Sequence, residues 1–348
     1  MGLDIGTTGV RAAQLSWSKG TSTLERFGQI ALPNGAVRDG EVVDPEAVGQ
    51  VLRELWRRVK FSTKSVVLGV ANQKVVVRQV DLPWMPLPEL RKSLAFQVAD
   101  VIPIPVEQAV LDLHPLEEVV GEDGTRRQRV LLVAASRDMV SSSLQALEVA
   151  GLRPAAVDLT PFAVLRSLGT PDGLGLRTSA EAIVEVGASV TNIVVHQAGV
   201  PRFVRILLMG GADVTETIAD RMGVTFEQAE SVKHSCALPA DAAFSGAHPV
   251  TRVLEAAAAT WVEEVRGSLD YYMAQPDSMR LDRIVLSGGG GLLSGLPARL
   301  SNAIRVPVEL AGPLSRLEIG RTRLSPDQLS YVEPLSAVSV GLALGMAA

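Results

Sequence analysis

Cysteine is almost absent from this chain: Cys236 is the only one in 348 residues. A single thiol excludes an internal disulfide and a thiolate metal cage, and it fits a reducing compartment. Aromatic residues are scarce as well, at 4% against 47% hydrophobic overall, so the cores must be built from Val, Leu, Ile and Ala. The four histidines, His114, His196, His234 and His248, lack zinc-site spacing and read as structural. There is no dense Lys/Arg run and the net charge is −5; Arg126, Arg127 and Arg129 read as a solvated hairpin end, which argues against a nucleic-acid partner. The longest late apolar run, Leu335 to Ala348, is too short and too rich in small residues to cross a bilayer and reads as a buried final helix. No signal peptide precedes the first strand. A cytoplasmic protein without direct membrane insertion is the expectation.

What the chain does have is glycine, 31 residues, placed at the ends of apolar runs. Leu3 and Ile5 alternate with Gly2 and Asp4, the period of a strand. Gly6-Thr7-Thr8-Gly9 then makes a turn, and Val10 to Ser16 returns. Such a turn aims backbone N–H groups and two hydroxyls one way, a surface suited to phosphate oxygens. Asp4, just before it, is placed to hold water around magnesium. By itself this is equally an ordinary polar hairpin tip. A second copy changes the weighing: Glu185-Val186-Gly187-Ala188-Ser189-Val190-Thr191-Asn192 repeats the pattern of acid, apolar residue, glycine and small residues before a return strand Ile193 to His196. Two such units predict an internal duplication with a nucleotide gripped between the halves.

Between them the chain reads as a strand Thr23 to Leu32, a helix capped by Asp44-Pro45, and a strand Ser65 to Ala71. Residues 72–153 then read as an inserted α+β unit. Its strand Lys74 to Leu82 leads to a helix lined by Leu90, Leu94, Val98 and Val101, stopped by Pro103 and Pro105. Strands Val106 to Leu113 and Gln128 to Ala135 and a helix capped by Ser136 and closed by Gly151 follow, with a strand Ala155 to Leu159 last. After a short helix Pro161 to Leu168, Gly169 to Ser179 reads as the linker between the halves.

The second half continues with a strand Val200 to Leu207, Gly210-Gly211 before a helix Ala212 to Met222, and a Thr225/Gln228 capping box. Glu230 and Lys233 share a face of that helix; from spacing alone they make a surface ion pair worth little. A long helix, Pro249 to Gln275, and a strand Arg283 to Leu286 lead to Ser287-Gly288-Gly289-Gly290-Gly291. Glycines between a strand and a helix start let a flat ligand approach the backbone and meet the positive end of the helix dipole.

Taken together, the paired hairpins, Gly210-Gly211, Ala229-Glu230-Ser231-Val232-Lys233 and Leu286-Ser287-Gly288-Gly289-Gly290 resemble the actin-like ATPase superfamily. Within it, Glu89 to Gln97, Ile102-Pro103-Ile104-Pro105, Val110 to Leu113, Asp158 to Arg166 and Gly199 to Phe203 resemble the PilM family of type IV pilus assembly proteins, related to FtsA. The resemblance implies an α/β, actin-like (ribonuclease H-like) fold of two lobes: residues 1–71, completed by 154–175 and 335–348; an inserted subdomain 72–153; and 176–334. It implies Mg-ATP between the lobes. Gly6, Thr7, Thr8, Gly9 and Arg11 would hold phosphates from one side, and Gly187, Ala188, Ser189, Asn192, Gly210 and Gly211 from the other. Asp4 and Glu185 would hold magnesium through water, Glu230 and Lys233 the ribose or base, and Gly288, Gly289 and Gly290 would pass beside the adenosine. The implied role is a cytoplasmic scaffold, peripheral at the inner membrane, that binds the N-terminal tail of a PilN-like bitopic membrane protein, with contacts to pilus motor ATPases and self-association as further expectations.

Three departures bear on catalysis: Glu185 stands where the superfamily usually has Asp, Arg11 where Lys is common, and Thr160 where chaperone relatives carry Glu. They predict nucleotide binding with slow or no turnover. An FtsA-like filament protein is the first alternative, disfavoured by the absence of a linker and amphipathic helix after Leu335. A small-molecule kinase of the same fold is the second, disfavoured because none of the four Asn residues is followed by Asp. The chain begins so close to the first turn that a few native residues are expected before Met1.

Overall fold

The computed structural model describes residues 1–18, 20–170, 179–236, 238, 249–276 and 278–346. The first half runs β1 (Gly2–Ile5), β2 (Gly9–Ser18), β3 (Thr21–Ala31), β4 (Val37–Arg38), β5 (Glu41–Val42), α1 (Pro45–Val59), β6 (Ser65–Val70), β7 (Val75–Pro83), α2 (Leu87–Gln97), β8 (Ala109–Val120), β9 (Arg126–Ser136), α3 (Arg137–Ala150), β10 (Arg153–Leu159) and α4 (Thr160–Leu168). The second runs β11 (Ala180–Val186), β12 (Thr191–Gln197), β13 (Val200–Leu207), α5 (Gly211–Met222), α6 (Phe226–Ser235), α7 (Pro249–Met273), β14 (Leu281–Ser287), α8 (Leu296–Ile304) and β15 (Val308–Leu310). It ends with β16 (Glu318–Ile319), α9 (Pro326–Val332) and α10 (Ala337–Leu344).

The duplication expected from the two hairpins extends to whole sheets. One sheet has the order β3-β2-β1-β6-β10 with β16 beyond β3, and the other β13-β12-β11-β14-β15. In each, three strands form an antiparallel meander, and the first of them also pairs in parallel with a later strand. The acid of each hairpin lies at the same register: Asp4 opposite Arg11, and Glu185 opposite Asn192.

Local chemistry fixes the flanking helices. The Asp44 carboxylate accepts from the Ala47 N–H at 3.0 Å, and Pro45 opens α1 where no N–H is needed. Val48, Leu52 and Leu55 of α1 are fully buried against the first sheet. Burial of each contributes roughly 1.5–3 kcal/mol. β11 is buried along its whole length, with Ala182, Val184 and Val186 in the core under α5 and α7 and Ile183 in the core shared with α4 and α10. Such a strand reads as a continuous apolar run broken only by Glu181 and Glu185.

The insert has its own three-stranded sheet, β7-β9-β8, backed by α2 through Leu82, Leu90, Leu94, Val98 and Val130. Four details differ from the sequence reading. α2 ends at Gln97, and Val98 leaves helical geometry (φ −115°, ψ 5°) ahead of Pro103; a proline restricts only the residue before it, so the prolines bound this helix without setting its end. Residues 106–108 form a 3-10 turn, and β8 runs on through Pro115 to Val120. The proline is tolerated because β8 is an edge strand and its pairing shifts between Pro115 and Glu117. The Ser136 hydroxyl makes no cap bond to α3. Finally, α3, expected with the insert, buries Met139, Val140 and Leu147 in the core formed with α1.

The C-terminal segment also packs with the first sheet. β16 pairs with β3, and Leu314 and Val332 share a core with Ala13, Leu15 and Phe27. The final apolar run forms α10, buried from Ala337 to Ala343, and among the described residues no helix is long and apolar enough to cross a membrane. Most of the expected linker, 171–178, lies outside the described residues, as do His248 and residues 347–348.

Candidate functional site

The two hairpin turns close with the same bond. The Gly6 N–H donates to Gly9 O at 3.0 Å, and the Gly187 N–H donates to Val190 O at 2.8 Å. They face each other across a cavity of about 510 Å³ between the two sheets. Asp4, Gly6, Thr7, Thr8 and Arg11 line it from the first lobe. Glu185, Gly187, Ala188, Asn192, Gly210 and Gly211 line it from the second. Glu230, Lys233, Gly288, Gly289 and Gly290 line its far end. Of the residues singled out from the sequence, Gly9 and Ser189 are not on the wall: Gly9 is buried under Ile30, and its carbonyl closes the first turn.

The acids are paired differently on the two sides. Arg11 Nη1 sits 3.4 Å from Asp4 Oδ2, whereas Glu185 Oε2 accepts from Asn192 Nδ2 at 2.8 Å. Burial pushes the Asp4 carboxyl up, against the pull of Arg11. Burial pushes Glu185 up to about 7; the Asn192 hydrogen bond works against this, and the nearby Asp4 charge adds to it. Two carboxylates pushed up by burial, the Glu185 one also by the Asp4 charge, with Arg11 as the one cation acting on both, form a site short of positive charge. Arg11 Nε and Asn192 Oδ1 are buried with no partner, so a donor and an acceptor remain unmet beside them. A hydrated divalent cation carrying phosphate fits this donor set: carboxylates for its water, an amide oxygen for another water, and an N–H for a phosphate oxygen. Among the described residues no cluster of three or more His, Cys, Asp or Glu forms a protein-only metal cage.

Glu230 and Lys233 are no loose surface pair. Lys233 Nζ donates to Gly211 O at 2.9 Å, Thr215 Oγ1 at 2.7 Å and Glu230 Oε2 at 2.7 Å. Burial pushes Glu230 up, but hydrogen bonds from Lys233 and the Thr215 hydroxyl outweigh it and hold the carboxyl below its ordinary range. The pair thus ties α6 to the start of α5, one wall of the cavity. The Thr225/Gln228 capping box sets α6 in place, with bonds of 3.0 and 3.3 Å.

The glycines serve backbone packing as much as ligand approach. A Cβ on Gly210 would lie 2.4 Å from Gly187 O and 2.6 Å from Ala188 O, so this glycine seats α5 on the second turn. Gly288 has φ +85°, and a Cβ there would lie 2.4 Å from Val186 O. Sequence reasoning missed the apolar side chains at this end of the cavity: Phe226, Leu292, Leu293 and Tyr331. Phe226 opens α6 directly after its cap Thr225, Tyr331 lies near the end of α9, and both stay substantially exposed. Thr160 also faces the cavity, presenting a hydroxyl and no carboxylate.

Comparison with known proteins agrees with this fold. A profile of the family described as "Type IV pilus assembly protein PilM" matches residues 2–346. A solved "PilM-PilN type IV pilus biogenesis complex" superposes with TM-score 0.84 at 28% identity, over 99% of this chain and 97% of that one. MreB5 of Spiroplasma citri bound to ADP superposes with TM-score 0.52 at 13% identity, over 99% and 94% of the two chains, which supports the actin-like fold. The cell division protein FtsA of Bacillus subtilis is 22% identical over 254 residues, covering 66% of this chain and 56% of that protein. FtsA of Escherichia coli K12 is 26% identical over 237 residues, covering 61% and 56%. The chain therefore spans little more than half the length of these curated relatives.

Proposed function

This chain belongs to the PilM family of type IV pilus assembly proteins, and from that premise we propose that it is a nucleotide-gated scaffold binding the N-terminal tail of a PilN-like membrane protein. Mg-ATP occupies the cleft. Asp4 and Glu185 hold magnesium through water, and the metal supplies charge neutralisation for the phosphates. The N–H groups of the two turns, with Arg11, take the phosphate oxygens. The Glu230–Lys233 wall and the apolar end take the nucleoside, with Gly288 to Gly290 passing alongside. Turnover is slow or absent, because Thr160 offers no carboxylate to activate water. The protein works on the cytoplasmic side of the membrane through its partner and links that platform to the pilus motor.

The observation that carries the gating is one strand. At one end of β13 the insert is docked: Gln79 Nε2 donates to Arg202 O at 2.7 Å, and Arg202 lies 3.5 Å from Glu117. At the other end the chain enters the second phosphate wall, where Thr191 Oγ1 donates to Met209 O at 2.7 Å just before Gly210. A shift of this wall on nucleotide binding is carried along a hydrogen-bonded strand to the insert. Calorimetric titration with a synthetic PilN-like tail peptide, with and without Mg-ATP, tests the reading. Saturable binding near micromolar, about −8 kcal/mol, with an affinity that changes with nucleotide is expected. Absence of peptide binding in both conditions, with filaments in a sedimentation assay, would move the assignment to an FtsA-like role.

A further inference from the structure

One end of the first lobe gathers exposed basic side chains. β6 runs parallel to β1 and β10 parallel to β6, so their last residues approach the cleft while their first residues lie at the opposite end of the sheet. α1 and α3 finish at that same end, each leading into the strand that starts there. Arg53, Arg57, Arg58 and Lys60 come from the last turns and cap of α1, Lys64 precedes β6, and Arg153 opens β10; all six are exposed. Local bonds gather them: Arg53 donates to Val149 O near the end of α3, and the Arg153 N–H donates to Lys64 O at 2.8 Å. The carboxylates at this end are Glu54, bonded by both Arg57 and Arg58, Glu148 on α3, and Glu25 and Glu318 along the far part of β3, where Arg26, bonded to Val59 O, adds a further cation. That leaves an excess of cations at one end of a chain whose net charge is −5.

Helix-dipole complementation accounts for basic residues in the last turn of α1. It does not account for Lys64 and Arg153, which lie outside helices. The hairpin β2–β3 projects from the same end, because β2 runs antiparallel to β1 and continues to Ser18 beyond Ala13, the partner of Gly2. It carries Trp17, 42% exposed in a chain poor in aromatics. An indole beside a blunt cluster of Lys and Arg is the composition of a surface that rests at headgroup level. A basic patch is also the footprint of a nucleic-acid partner, and the net charge of −5 weighs against that partner.

We propose that this end of the first lobe docks on anionic lipid headgroups, holding the chain on the membrane surface with the nucleotide cleft turned away from the bilayer. The inference deepens the scaffold reading and rests on it only for the identity of the nearby membrane. Attachment is peripheral and electrostatic, with Trp17 at the interface, and needs no membrane-spanning helix.

Flotation of the full chain with vesicles tests it, using phosphatidylcholine alone against phosphatidylcholine with phosphatidylglycerol at near-physiological salt. The chain should float with the anionic vesicles, stay behind with the neutral ones, and be released by high salt. The combined variant Arg57→Glu, Lys60→Glu, Lys64→Glu should lose roughly 100-fold or more in vesicle affinity, about fivefold for each cation. The variant Arg205→Glu, Arg221→Glu, Arg280→Glu makes the same charge change on the second lobe and should bind within a few-fold of the parent. Binding of the tail peptide by both variants checks that they are folded. Equal flotation with neutral vesicles, equal loss in the control variant, no binding to anionic vesicles, or preference for duplex DNA would overturn the proposal. Lost vesicle binding with intact peptide binding leaves the scaffold reading standing, and the reverse pattern leaves the lipid surface standing.

Discussion

Glu185 offers the sharpest handle on the cleft. Its carboxyl titrates near 4.5 in an unfolded chain and is pushed up to about 7 in the folded one, first by burial and then by the neighbouring Asp4 charge. Between those values the folded protein holds a proton that the unfolded chain has released, so stability falls as pH rises. The cost is absent below 4.5 and complete above about 7. The shift corresponds to about 3 kcal/mol, and Asp4, also raised by burial, acts in the same direction. Glu185→Gln keeps the shape and removes the charge. Urea unfolding at a series of pH values between 5 and 8.5, without metal or nucleotide, should show the parent losing stability through this window relative to the variant. At the alkaline end the variant should be the more stable protein.

Magnesium and ATP should reverse that order. A cation held by water between Asp4 and Glu185 favours both ionised carboxylates, so the complex must release protons as it forms below about pH 7. Affinity of the parent for Mg-ATP should therefore rise with pH, by up to about tenfold per unit for one proton released, and level off above 7. Glu185→Gln should bind more weakly with a flatter profile. A parent and variant with parallel stability curves, or a parent whose Mg-ATP affinity does not change between pH 5.5 and 7.5, would refute the placement of this carboxylate in the metal site.

Lys233→Ala removes the ammonium from Glu230, Gly211 O and Thr215 Oγ1, leaving the Thr215 hydroxyl to serve both Gly211 O and Glu230; it should cost about 1–3 kcal/mol in chemical denaturation and weaken nucleotide binding in a fluorescence titration. Gly210→Ala places a methyl 2.4 Å from Gly187 O; nucleotide affinity should drop about tenfold or more while peptide binding without nucleotide is kept. Gly341→Ala places a methyl 1.8 Å from Ala163 O, forcing α4 and α10 apart, and should cost roughly 3 kcal/mol in a thermal melt. Gly267→Ala, inside α7 with nothing within 4 Å, should stabilise by about 0.5–1 kcal/mol, which controls for helix propensity.

Elements whose chemistry is local were legible in the sequence. The Asp44-Pro45 start of α1, the Gly151 close of α3 and the Thr225/Gln228 box each announce themselves within four residues, because a cap is satisfied by its own neighbours. The two turns were legible for the same reason, and finding them twice made a duplicated plan readable before any sheet order was known. Residues whose role depends on what they meet across the fold were read less well. Glu230 and Lys233 look like a surface pair on a helix wheel, and only the approach of α5 turns them into a wall of the cleft. α3 falls within the stretch read as the insert, yet its buried face packs with α1, since Met139, Val140 and Leu147 are apolar enough for either core and spacing says nothing of the partner. β16 is two residues long, too short for any period to show, and pairs with β3 only because Leu314 and Val332 bring their segment under the first sheet. The glycines mislead most instructively. A glycine-rich strand end suggests room for a ligand, but Gly210 and Gly288 are also required by carbonyls of the hairpin turn beside them. The same residues that let the two walls of the second lobe touch are those that the proposed reading sets against the phosphates, so on that reading substitutions there should disturb binding through the backbone frame before they reach any ligand.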